Sequence, residues 1–116
     1  MAVRTKRVYE PASADDGYRV LVDRVWPRGV SKEDAAVDEW ARELAPSTDL
    51  RKWFAHKPER FDQFRRRYRD ELNAREDEIE ALRTRGRKET VTLLFGARDV
   101  EHNNAVVLAE LVGDAR

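Results

Sequence analysis

The sequence has no cysteine in its 116 residues, which rules out disulfides, thiolate metal sites and a thiol nucleophile. Histidine is almost as scarce. His56 and His102 are the only two, and neither stands at a recognised ligand spacing from Asp23 or Asp99, so no metal site is expected. Walker, G-x-G-x-x-G, G-x-S-x-G and H-E-x-x-H motifs are missing as well, and with them any sign of a cofactor. No apolar stretch approaches the ~20 residues that span a bilayer. No apolar run follows the charged residues 1–7, so neither a secretory leader nor a membrane partner is expected and a cytoplasmic location is the default. Net charge is also missing: 23 basic and 23 acidic side chains cancel, whereas a dedicated nucleic-acid binder usually carries a basic excess. Lysine contributes only 5 of those 23 cations and arginine 18, so a single arginine is weak evidence of function.

What is present is a charged chain (40% Asp, Glu, Lys and Arg) of one-domain length, with no repeat or linker, read as a single domain over residues 1–116. Residues 18–25, with Val20, Leu21, Val22 and Val25, and residues 88–95, with Val91-Thr92-Leu93-Leu94-Phe95, are near-continuous apolar runs. Each reads as a strand buried on both faces. Between them Ser47 is placed to cap one helix, and Pro58 suits the first turn of a second. In that second helix Phe61, Phe64, Tyr68 and Leu72 form a single stripe. A third helix is expected over residues 75–84, stopping near Gly86. Residues 34–44 suggest a helical turn followed by extended chain. A last helix carries Ala105, Leu108, Ala109 and Val112, with Asp99 as a candidate cap and Gly113 at its end. Strand, helices, strand, helix predicts an α/β fold: a compact single domain with a small, mostly parallel sheet flanked by helices.

In such a crossover the carboxyl ends of the two strands share one sheet edge, where open α/β sheets bind ligands. That brings residues 23–29 beside residues 96–104. Arg24, Arg28 and Arg98 suit a phosphate or carboxylate, which guanidinium matches bidentately. Asp23 or Asp99 with His102 could transfer protons on such a ligand, Trp26 could wall the pocket, and Asn103 stands at the start of the last helix. The bland alternatives are specific. The Arg–Asp pairs could lock the two loops together, Trp26 beside Pro27 and Gly29 could be a packing plug, and His56 could bond a backbone carbonyl. The Arg65-Arg66-Arg67 run with Arg69 is interleaved with Glu59, Asp62, Asp70 and Glu71, as on a solvated, salt-bridged helix face.

The run Gly17-Tyr18-Arg19-Val20-Leu21-Val22-Asp23-Arg24-Val25-Trp26-Pro27-Arg28-Gly29 closely resembles the signature of the YeaO-like family of uncharacterised bacterial proteins, a domain of unknown function. Ala45-Pro46-Ser47, Trp53-Phe54 with His56, Arg67-Tyr68 with Glu71-Leu72, and residues 91–99 followed by His102-Asn103-Asn104-Ala105 extend the likeness over nearly the whole chain. The departures are mild. Val25 stands where leucine is usual, and Arg98 stands where lysine is common, which keeps the charge but excludes a lysine-specific covalent role. The resemblance implies a compact cytoplasmic α/β domain and singles out Asp23, Arg24, Trp26, Arg28, His56, Arg98, Asp99, His102 and Asn103, without assigning an activity. Two functions follow as expectations. One is a domain binding a small anionic ligand, with or without proton transfer. The other is a non-catalytic interaction or regulatory module, in which Trp53, Phe54 or Trp26 docks a partner or a second copy in a homodimer.

Overall fold

In the computed structural model, which describes residues 2–113, the strands are β1 (Val3–Arg7), β2 (Tyr18–Leu21), β3 (Glu39–Trp40) and β4 (Val91–Phe95). The helices are α1 (Lys32–Ala35), α2 (Thr48–Phe54), α3 (Phe61–Leu72), α4 (Glu76–Lys88) and α5 (Asn104–Gly113). The strands make one sheet in the order β1-β4-β2-β3, and every neighbouring pair is parallel. The predicted α/β class and the crossover between residues 18–25 and 88–95 are therefore observed, as β2 and β4 side by side.

Position in the sheet explains the apolar runs. β4 is enclosed by β1 and β2, and all five of its residues are buried. Val91, Leu93 and Phe95 join Val20 and Val22 in the larger core beneath α2, α3, α4 and α5. Leu94 and Leu21 face the other way, into a smaller core with Val8 and Ala35, flanked by Trp26 and Trp40. The α3 stripe is buried in full, and Phe54 of α2 stacks on Phe64 at 4.4 Å between centroids. Burial of such side chains contributes roughly 1.5–3 kcal/mol each, so tertiary packing outweighs intrinsic propensity in holding this Arg-rich helix.

Three boundaries differ from the sequence reading. β2 ends at Leu21 rather than near Val25: Val22 still donates to Leu94, and then the chain leaves the ladder, with Val25 57% exposed. β4 starts at Val91, because Lys88 still belongs to α4. Gly86 lies inside α4 rather than stopping it. A Cβ there would stand 3.3 Å from the Val3 side chain, so the glycine serves close helix–strand packing. The arginine run of α3 is salt-bridged, as expected, but mainly across helices: Arg65 and Arg69 both reach Glu110 of α5, at 3.1 and 2.9 Å. No helix among the described residues is long and apolar enough to cross a membrane.

Candidate functional site

The loops after β2 and β4 meet at the carboxyl edge of the sheet through Asp23. One carboxylate oxygen accepts the Gly96 N–H at 2.8 Å, and the other accepts from the Asn104 amide at 3.3 Å. The same Asn104 nitrogen donates to the Val22 carbonyl at 2.9 Å, fixing the start of α5 against the end of β2. Gly96 suits this junction because a Cβ would come within 3.2 Å of the Asp23 carboxylate. The ion pairs considered between the two loops do not form. Among the described residues no salt bridge joins Asp23 or Asp99 to Arg24, Arg28 or Arg98. A carboxylate bonded to backbone and amide donors ties the loops instead.

Arg24 points to a third segment. Its Nε and Nη2 donate to the carbonyls of Pro46 and Ala45 at 3.3 and 3.2 Å, anchoring the approach to α2. Ser47 caps α2 as expected, accepting the Leu50 N–H at 3.1 Å, and its own N–H and hydroxyl donate to Glu71 of α3. With that cap setting the phase, Leu50 and Phe54 turn inward, and exposed Arg51 flanks the sheet edge. Beyond α2 the backbone doubles back through two left-handed residues, Ala55 (φ 49°) and His56 (φ 55°), which brings the imidazole to the same edge. Neither is glycine, so the turn stores strain, a feature that clusters at binding sites. Ala55→Gly is expected to raise stability by about 0.5–1 kcal/mol, the relief of left-handed strain less the extra unfolded-chain entropy, read as a higher urea midpoint at constant m.

These segments enclose a cavity of about 200 Å³. Asp23, Arg24, Arg51, His56, Asn103 and Asn104 supply its polar walls, while Val25, Phe54, Phe64 and Ala97 supply apolar ones. Burial pushes the Asp23 carboxyl above its ordinary range, against the Gly96 N–H, the Asn104 amide and the charges of Arg51 and His56. Tyr68, fully buried, donates its hydroxyl to the Leu44 carbonyl. Burial, then the nearby Asp23 charge, keeps that phenol neutral. The cap of α5 is Asn103 rather than Asp99: its amide oxygen accepts the Val106 N–H at 3.0 Å and its amide nitrogen donates to the Asp99 carbonyl.

The other residues singled out in the sequence lie elsewhere. Asp99 shapes the preceding turn by accepting the Glu101 and His102 N–H groups, and it meets the His102 ring at 2.9 Å. The Glu101 N–H, followed by the His102 ring, holds the Asp99 carboxyl below its ordinary range. His102 stands edge-on to Phe61 at 5.2 Å, and neither it nor Asp99 lines the cavity. Trp26 donates to the Val30 carbonyl at 2.7 Å and packs edge-to-face on Trp40, over the smaller core. Arg28 and Arg98 are exposed, and the Arg28 carbonyl accepts the Tyr9 hydroxyl. Among the described residues no three His, Asp or Glu side chains converge as a metal site would need. Sequence reasoning missed Arg51, and it missed Asn104 as a cavity wall. The cap at Ser47 carried the signal for the first, since it sets which flank of α2 each residue occupies.

Several known proteins are similar to this one. The uncharacterised protein YeaO of Escherichia coli strain K12 is 46% identical over 110 residues, covering 95% of this chain and 96% of YeaO. Uncharacterised proteins of Mycobacterium tuberculosis strain H37Rv and Mycobacterium bovis are each 46% identical over 110 residues, covering 95% of this chain and 92% of theirs. No solved structure matches. Residues 2–116 match the family DUF488-N3i, described as the inactive DUF488-N3 subclade, and the chain belongs to that family.

Proposed function

We propose that this protein is a binding domain that holds a small phosphate- or carboxylate-bearing molecule, without turning it over, at the carboxyl ends of β2 and β4. The observation that carries this reading is the cavity itself, where Arg24, Arg51 and His56 are gathered from three segments around one carboxylate, Asp23. Arg24 keeps the N–H groups of Nη1 beyond its two carbonyl bonds, and Arg51 forms no ion pair among the described residues. An oxyanion entering here meets guanidinium donors in a partly dry site, where charge-assisted bonds are strongest. Binding without turnover is favoured by the family's description as an inactive subclade. It is also favoured by cavity walls that lack Ser, Thr, Tyr and Lys, and by His102, the expected proton-transfer partner, lying outside.

Thermal-shift measurement with inorganic phosphate and small carboxylates tests the reading, because a ligand bound only by the folded state adds about 2.7 kcal/mol at a hundredfold excess over Kd. The wild type is expected to show a saturable rise in Tm, and Arg51→Ala with His56→Ala to lose most of it with only a small drop in unliganded Tm, since both side chains are exposed and face Asp23 only through their charge. A wild type indifferent to every such anion, or a double variant that binds as well, would overturn the proposal.

A further inference from the structure

Resting on that reading, we infer that the cavity selects oxyanions that also carry a neutral hydroxyl group a few bonds away, as in a small phosphorylated polyol or a hydroxy acid. The argument turns on Asp23. A site for a bare anion gains nothing from a carboxylate in its wall, because the like charge repels the ligand. Yet Asp23 lines this cavity, and only two of its roughly four acceptor positions are taken, by Gly96 and Asn104. Those two bonds account for the junction of the loops and leave acceptor capacity for a donor from the ligand.

The surroundings decide which donor. Arg24, Arg51 and His56 share the walls with Asp23, and their field opposes an ammonium group at this depth. A neutral hydroxyl meets no such opposition and can donate to the carboxylate while an oxyanion at the mouth faces the exposed Arg51 and His56. Size sets a further limit. The cavity, at about 200 Å³, lies below the roughly 300–1,000 Å³ of drug-sized pockets, so it is too small to enclose a whole nucleotide and suits a short carbon chain. Phe54 and Phe64 offer that chain an apolar wall.

The test compares ligands that differ by hydroxyls alone, titrated calorimetrically into the full chain at fixed ionic strength: glycerol 3-phosphate against n-propyl phosphate, and glycerate against propionate. The hydroxylated member of each pair is expected to bind about tenfold tighter or better, the usual gain from a hydrogen bond to a charged group. Asp23→Asn keeps an acceptor for Gly96 but turns an amide nitrogen toward the Asn104 donor, so the readout is the ratio of affinities within each pair, which is expected to shrink severalfold. Equal affinity within each wild-type pair overturns the hydroxyl inference and leaves oxyanion binding standing. A preference that survives intact in Asp23→Asn also overturns it, and failure of all four ligands to bind overturns the underlying reading.

Discussion

Asp16→Ala is expected to destabilise the protein by about 3–5 kcal/mol, the usual cost of stranding one partner of a buried ion pair. Asp16 and Arg19 are 3% and 4% exposed, on the sheet face away from the larger core. The Asp16 carboxylate accepts from Arg19 Nη1, from Lys6 at 3.0 Å and from the Ser13 N–H at 3.0 Å, and Arg4 stands 3.5 Å away. Without it the buried Arg19 guanidinium keeps only the Ala35 and Ala36 carbonyls as partners. Against a typical total stability of ~5–15 kcal/mol the loss is a large share. Asp62→Ala is the contrast: that carboxylate is 89% exposed beside Arg65, and its loss should cost no more than about 1 kcal/mol. Acid dependence supplies a second readout. Burial alone would raise the Asp16 pKa, but the Ser13 N–H, Lys6 and Arg19 outweigh it and hold the carboxyl below its ordinary range. A depressed folded value means that its contribution is complete above the unfolded value of about 3.9 and is lost as pH falls through the folded value. Urea midpoints between pH 7 and pH 3 should therefore fall more steeply in the wild type than in Asp16→Ala.

The pattern that made β2 and β4 legible was burial on both faces, and it predicted their pairing because a parallel crossover leaves few alternatives. Hydrophobicity marks where a strand is covered, however, not where its ladder stops. Val25 looked like strand and is exposed, because the chain has already turned so that the Asp23 carbonyl can accept the Trp40 indole N–H at 2.7 Å. Residues 34–44, read as a helical turn followed by extended chain, hold the end of α1, short β3 and then a 3₁₀ turn at Arg42–Leu44 that the sequence did not suggest, each too short to show a period.

Legibility of the site follows the same division. Asp23, Arg24 and Asn103 could be placed because they flank the two strands that the pattern revealed. His102 and Arg98 flank the second strand equally well, yet a turn built on Asp99 carries them away from the cavity, and residue order alone does not encode the direction of a turn. Arg51 is remote in sequence from both strands and reaches the edge because α2 is held there, by Arg24 on the Ala45 and Pro46 carbonyls and by the packing of Phe54 on Phe64.

Gly17→Ala is expected to cost about 2–6 kcal/mol and to reach the site as well as the fold, through ~1–3 kcal/mol of backbone strain and a similar overpacking penalty. Gly17 joins the 3₁₀ turn Ala14–Asp16 to β2 with φ 63° and ψ −128°, a region that side chains disfavour. A Cβ there would stand 2.2 Å from the Thr90 carbonyl oxygen, well inside contact distance. That oxygen is not free to retreat, because it accepts the Tyr18 N–H at 2.9 Å where β2 begins to pair with β4. Gly29→Ala separates the two contributions: at φ 79° it meets nothing within 4 Å, so it should lose only ~1–2 kcal/mol of conformational energy. Tryptophan fluorescence during urea unfolding measures both variants. Equal losses would mean that the Thr90 contact yields at no cost. Because β2 delivers Asp23 to Gly96, a Gly17→Ala chain that still folds should also bind oxyanions more weakly, whereas Gly29→Ala, whose residue lies outside the cavity walls, should bind as the wild type does.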